Sequence, residues 1–211
     1  MVLNYNMKRT DIINHLIKQK GYKSYLEIGV QYPQSNYDLV NVDYKVGVEP
    51  FPVGEWSNKN IMPVTSDEWF VDLQEKYDII FIDGLHTREQ CRKDIHNSLK
   101  HLNEGGCILV HDCLPTAEYQ TTKVDNGKEW TGDVWKAIVD IQYRKGVNAS
   151  TIDTDWGIGY ITQDYYTNEL NLPDGTSYDE ASYTELDWET YTQMKNGLLN
   201  IKTIEQWLKG V

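Results

Sequence analysis

The spacing of apolar positions changes along the chain, and each change marks an element. Ile12, Ile13, Leu16 and Ile17 recur at helical spacing. They predict a helix over Thr10–Lys20, capped by Thr10 and closed by Gly21. Short apolar runs then predict strands over Tyr25–Val30, Val46–Val48 and Ile61–Val64, with Pro63 placing the last at a sheet edge. Thr65 and Glu68 form a capping box ahead of a short helix, and Asp78–Ile82 reads as a buried strand. Thr87 and Gln90 form a second box, opening a helix with Cys91, Ile95, Leu99 and Leu102 on one face and Gly105-Gly106 at its end. Cys107–Val110 is a wholly apolar strand; Asp133 caps a helix running to Lys145. Val147–Ile152 and Gly157–Thr162 then form a hairpin around Asp155-Trp156. A turn at Pro173-Asp174-Gly175 precedes two short helices, about Trp188–Asn196 and Thr203–Lys209.

Apolar runs without alternation belong to strands buried on both faces, which are parallel strands. Strand and helix in turn predict an α/β fold: an open sheet with helices on both faces. Residues 1–165, the N-terminal helix included, are read as the main domain, and residues 166–211 as an acidic helical extension packed on it. The polar stretch Leu114–Thr131 is long for a connection inside a compact domain and reads as a mobile lid or binding segment.

In open α/β sheets, ligands bind beyond the carboxyl ends of the strands. Four strand ends here carry chemistry: Glu27-Ile28-Gly29, Glu49-Pro50, Asp83-Gly84-Leu85-His86 and His111-Asp112-Cys113. Glu27 suits an ammonium, sulfonium or hydroxyl group, and Gly29 lets a ligand approach the backbone. Glu49, about twenty residues beyond the first turn, is placed to accept hydrogen bonds from ribose hydroxyls. Asp83 and Asp112 offer hard oxygens to Mg²⁺ or Mn²⁺, and a histidine beside them titrates near neutrality, as a general base must. Taken singly, each of these is an ordinary turn or cap residue; together, at two strand ends, they favour a site. Trp130 and Trp156 could wall a pocket, though packing is the commoner role. His15, His96 and His101 fall on helices and read as packing or surface residues. Cys113 reads as a buried neutral thiol.

Composition narrows the partners. Among 211 residues, Lys and Arg total 20 against 32 Asp and Glu, a net charge of -12 that repels a phosphate backbone and disfavours RNA or DNA. No apolar run is long enough to cross a membrane, and Met1–Lys20 does not read as a signal peptide. Three cysteines without metal-finger spacing fit a reduced, cytoplasmic protein. The G-x-G-x-x-G fingerprint of dinucleotide binding is absent.

YLEIGV at Tyr25–Val30, VGVEP at Val46–Pro50, TSDEWF at Thr65–Phe70, FIDGLH at Phe81–His86, ILVHDCLPT at Ile108–Thr116 and GDVWKAI at Gly132–Ile138 together resemble a class I S-adenosylmethionine-dependent methyltransferase. The likeness is to the bacterial small-molecule branch associated with glycan and natural-product biosynthesis. It implies a Rossmann-like seven-stranded, mostly parallel sheet of order 3-2-1-4-5-7-6 with the last strand antiparallel. It implies S-adenosylmethionine as cofactor, with Glu27 and Gly29 near its methionine part, Glu49 at the ribose, Ser66 and Asp67 near the adenine, and Asp83 beside it. In related sugar O-methyltransferases the position of Asp83 binds a divalent metal with the acidic pair at His111-Asp112, and the position of His86 resembles the general base. Two departures stand out. Gln31-Tyr32-Pro33-Gln34-Ser35 replaces the usual glycine after the first motif, and His111 replaces one carboxylate of the pair. The resulting expectation is O-methylation of a small, sugar-containing acceptor, metal-assisted, by a chain able to form a homo-oligomer. Its rivals are a metal oxygenase using two His and a carboxylate, a nicotinamide oxidoreductase, and a binding module without turnover.

Overall fold

The computed structural model describes residues 7–125, 127–142, 144, 146–163 and 186–211. The turn expected at Pro173-Asp174-Gly175 lies outside the described residues. Among the described residues, eight strands form one sheet: β1 (Ser24–Ile28), β2 (Tyr44–Val48), β3 (Ile61–Met62), β4 (Tyr77–Ile82), β5 (Leu102–Val110), β6 (Val147–Ile152), β7 (Ile158–Gln163) and β8 (Ile201–Lys202). Their order is β3-β2-β1-β4-β5-β7-β6-β8. β7 runs antiparallel to both its neighbours, and every other pairing is parallel. The expected seven-strand order is therefore present, and β8 extends it by pairing with β6.

The helices are α1 (Arg9–Lys20), α2 (Ser66–Phe70), α3 (Arg88–Lys100), α4 (Val134–Gln142), α5 (Trp188–Leu198) and α6 (Ile204–Leu208). Alternate strand residues point to opposite faces, so the sheet carries two cores. Leu26, Ile28, Ile80 and Ile82 pack with Ile95 of α3, Trp135 of α4 and Tyr191 of α5. Tyr25, Ile79, Phe81 and Leu109 pack with Ile12, Leu16 and Ile17 of α1 and Trp207 of α6.

Several boundaries differ from the sequence pattern for local reasons. Lys8, not Thr10, caps α1: the Asp11 carboxylate accepts the Lys8 N–H, while the Thr10 hydroxyl donates to Asn36. α3 ends at Lys100, and Leu102 and both glycines belong to β5. A Cβ on Gly106 would come within 2.6 Å of the Asp78 carbonyl, so the glycine serves the strand pairing and not a helix end. The Gln90 side chain does not close a box with Thr87 but turns to Ser66, Asp67 and Asp94. Asp133 precedes α4, yet its carboxylate accepts the Arg88 N–H and so caps α3. The Thr65–Glu68 box and the edge position of β3 match expectation.

Candidate active site

The carboxyl ends of β1, β2, β4 and β5 open into one cleft of about 1060 Å³. All nine residues singled out in the sequence line it: Glu27, Gly29, Glu49, Ser66, Asp67, Asp83, His86, His111 and Asp112. Parallel strand register brings them together: Ile28 pairs with Val48 and Ile82, and Ile82 with Val110, so the residues that follow leave the sheet side by side.

On the β1–β2 side, acceptors are already partly engaged. Glu27 is buried, and its Oε2 accepts from the Tyr25 hydroxyl and the Asn36 amide. Burial raises its pKa to about 8 despite those bonds, so the group is mostly protonated at neutral pH. Glu49 accepts the N–H groups of Gln31 and Phe51, at 3.2 and 2.9 Å, which pins the loop after β1. The chain leaves β1 through Gly29 at φ 91°, where a Cβ would stand 2.0 Å from the Asp83 carbonyl. Gly29 is thus required by the approach of the β4 backbone, a closer constraint than ligand access. Ser66 and Asp67 both receive the Gln90 amide, and Asp67 also meets Lys93.

On the β4–β5 side, charge is concentrated. Asp83 Oδ1 faces His86 Nε2 at 3.4 Å and His111 Nδ1 at 3.3 Å. Asp112 Oδ2 faces the same two nitrogens, each at 3.2 Å. The four atoms form a closed ring of alternating oxygen and nitrogen. Asp83 Oδ2 is taken by Arg9 Nη1 at 2.8 Å, and Asp155 Oδ2 by the Arg9 N–H and Nε at 3.0 and 2.9 Å. Burial pulls the His111 pKa down, but Asp83 and Asp112 outweigh it and push it up to about 10. Burial opposes the charge of His86 too, and the same two carboxylates raise it. Asp83 is held well below the usual carboxylate range; burial opposes this, and His111, His86 and Arg9 overcome it. Asp112 adopts φ 62°, a conformation that costs a non-glycine residue about 1–3 kcal/mol and collects at functional sites.

His86 is oriented from behind. Its Nδ1 lies 3.2 Å from the Trp130 carbonyl. A carbonyl only accepts, so this nitrogen carries the proton; in the neutral ring Nε2 carries the lone pair, on the side shared with Asp83 and Asp112. The Trp130 ring stacks on the imidazole at 4.9 Å.

Residues 52–113 match the model of a methyltransferase domain family. No curated protein sequence matches the chain. Among solved structures, it is similar to an O-methyltransferase from Bacillus cereus in complex with S-adenosylhomocysteine, at 16% identity, TM-score 0.52, covering 75% of this chain and 81% of that one. It is also similar to the O-methyltransferase TomG from Streptomyces achromogenes, involved in tomaymycin synthesis and solved with S-adenosylmethionine, at 14% identity, TM-score 0.53 and coverages of 76% and 82%. A third, an S-adenosylhomocysteine-bound methyltransferase from Podospora anserina, gives 13% identity, TM-score 0.54 and coverages of 76% and 80%. At these identities the likeness is one of fold, a Rossmann-like methyltransferase sheet.

The donor set suits a divalent ion. Asp83, His86 and Asp112 each bring a ligand atom within 4.8 Å of the others. The ring edges of 3.2 to 3.4 Å are near the roughly 3 Å between adjacent ligands of an octahedral ion with bonds of about 2.1 Å. His111 is buried, with Nδ1 at ion-pair distance from both Asp83 and Asp112 and Nε2 3.8 Å from Asp155.

The sequence reading missed Arg9 and Asp155. Arg9 begins a helix whose pattern speaks only of packing, and Asp155 reads as a hairpin residue; neither has a local signal linking it to β4. Trp130 and Trp156 do line the cleft. Cys113 is buried, and burial raises its thiol pKa, as its neutral reading required. The segment Leu114–Thr131 reaches the cleft through Asp125, Glu129, Trp130 and Thr131. It is better anchored than its polarity suggested: buried Gln120 accepts the N–H groups of Thr116 and Ala117 through its side chain, and those of Thr131 and Gly132 through its carbonyl. Among the described residues, no helix is long and apolar enough to cross a membrane.

Proposed function

We propose that the chain is an S-adenosylmethionine-dependent O-methyltransferase acting on a hydroxyl of a small, sugar-bearing acceptor. The observation that carries this reading is the convergence of His86 Nε2 on Asp83 and Asp112 within the cleft that Glu27, Gly29, Glu49, Ser66 and Asp67 line. Glu49 takes the ribose hydroxyls, Ser66 and Asp67 the adenine, and Glu27 with Gly29 the methionine end.

The acceptor hydroxyl is held in line with the sulfonium methyl. His86 Nε2 removes its proton as the oxygen–carbon bond forms and the carbon–sulfur bond breaks, leaving a neutral thioether and a methyl ether. Asp83 and Asp112 would hold Mg²⁺ or Mn²⁺, with His111 joining them once it gives up its proton, and the ion when bound would lower the pKa of the hydroxyl it touches. Imidazole in the donor set favours Mn²⁺ of the two. Arg9 would fix the remaining oxygen of Asp83, and Asp155, 3.8 Å from His111 Nε2, would fix that ring. Trp130 and its segment close the acceptor side and exclude water.

The test is a thermal shift and a turnover assay on the whole chain. S-adenosylhomocysteine raises the melting temperature and NAD does not. His86→Ala keeps that shift and loses methyl transfer; a variant with wild-type turnover removes His86 as the base. Cofactor binding without turnover on any sugar-bearing acceptor would instead support the binding-module reading.

A further inference from the structure

A second cavity, of about 330 Å³, lies behind the turn that carries His86. Arg88, Arg92, Lys123 and Lys136 line it, against the acids Glu89 and Asp133. In a chain of net charge -12 this is a local reversal of sign. The two acids do not neutralise it evenly. Asp133 is engaged with the Arg88 N–H at 2.6 Å. Arg88 is fixed by a two-pronged bond to buried Asp140, both contacts at 2.8 Å. The two lysines are different. Neither the Lys123 nor the Lys136 ammonium makes a hydrogen bond or ion pair with a described residue; Lys136 is half-buried, with its ammonium 5.4 Å from the Trp135 ring centre. Burial disfavours that charge, Asp133 offsets part of the loss, and Arg88 and Lys123 disfavour it further, so the shift is still downward. Like charges gathered around one cavity cost free energy unless an anion completes them.

The residues lining the cavity adjoin cleft residues along the chain at three places. Thr87, which caps α3, follows His86, and Asp133 lies two residues after Thr131 of the cleft. Lys123 belongs to the segment whose Trp130 carbonyl holds His86.

We propose that this cavity binds a phosphoryl group of the acceptor, so that the substrate is a phosphate- or diphosphate-bearing sugar. The inference rests on the methyltransferase reading for the acceptor and on the cavity alone for the anion. Several cations around one cavity match a group with two or three negative charges; a carboxylate brings one. Beside His86, by contrast, Asp83, Asp112 and Asp155 are set against Arg9 and the two histidines, so the cleft lacks that excess of positive charge. The two fields therefore orient an acceptor with its phosphoryl end on the lysines and a neutral hydroxyl end at His86.

The experiment titrates pyrophosphate, with acetate as the monoanion control, into the whole chain at low salt by calorimetry. Pyrophosphate binds, the affinity falls with added salt, and acetate does not bind. Lys136→Met weakens binding roughly tenfold or more, as loss of a charged hydrogen bond does, and exposed Lys123→Met weakens it in the same direction should the first variant fail to fold. Both variants keep the S-adenosylhomocysteine thermal shift. Absence of pyrophosphate binding, or unchanged affinity in a folded lysine variant, overturns the proposal. A wild-type chain that binds pyrophosphate but gives no S-adenosylhomocysteine shift would sink the cofactor reading and leave the anion cavity standing.

Discussion

The two sides of the cleft are built on different principles. At the β1–β2 edge, Glu27, Glu49, Ser66 and Asp67 are tied into the protein's own hydrogen bonds. Such groups are positioned before a ligand arrives and have spare lone pairs to offer it. At the β4–β5 edge, Asp83, Asp112, His86 and His111 press like and unlike charges together, and His111 is buried among three carboxylates. The first arrangement is suited to recognition, because little has to move. The second stores unfavourable electrostatics and backbone strain at Asp112, which binding an ion or moving a proton can release.

That contrast predicts unequal costs of mutation. The largest falls on His86. A positioned general base contributes about 10²–10⁴-fold, so His86→Ala should lower turnover by that much and leave S-adenosylhomocysteine affinity unchanged. Chelation sharpens the result. If a chelator abolishes activity that Mn²⁺ restores, the ring works as a metal site. If activity survives chelation but not His86→Ala, the base alone is supported.

The next effect is structural and sits where the two sides touch. Gly29→Ala places a Cβ 2.0 Å from the Asp83 carbonyl at φ 91°. Strain and overpacking together should destabilise the fold by at least about 2 kcal/mol. A urea midpoint equal to wild type would show that β1 and β4 can part at no cost.

How much of this was legible in the sequence follows the same division. The recognition side and the ring were readable because each residue directly follows an apolar run, and strand direction alone gathers them at one edge. The sheet order to β6 followed from the family likeness. β8 could not be read, since a two-residue strand carries no periodicity and forms only because β6 offers it an edge. Arg9 and Asp155 were invisible for a different reason: they are 146 positions apart and meet through the folded sheet. Asp133 misled because a cap residue before a helix usually serves that helix, and here the neighbouring α3 claims it.

Recognition residues should show smaller effects. Glu49 shares its carboxylate between the backbone and the ribose hydroxyls proposed for it. Glu49→Ala should weaken S-adenosylhomocysteine binding by about 1–3 kcal/mol, read by calorimetry, with the fold intact. Unchanged affinity would move the ribose elsewhere.

The smallest effect is one of pH, and it separates a neutral Glu27 from a charged one. Its ordinary value is 4.5, and in the fold it stands at about 8. Between these values the native chain holds a proton that the unfolded chain has lost, so stability falls as pH rises, by up to about 1.4 kcal/mol per unit. Other groups titrate in the same window. Asp94, raised by burial to about 6, adds the same sign. His96, lowered by burial to about 4, has the opposite sign, because its unfolded form takes the proton first. Above pH 6.5 His111, raised to about 10, again subtracts stability with rising pH. The wild-type slope is therefore a mixture, and the informative quantity is a difference. Glu27→Gln keeps an oxygen for the Tyr25 hydroxyl and the Asn36 amide but does not titrate. Melting temperatures from pH 5 to 8 should drop more steeply for wild type than for the variant. Parallel curves would mean that Glu27 is ionised in the fold, and that the β1 edge holds a buried charge of its own.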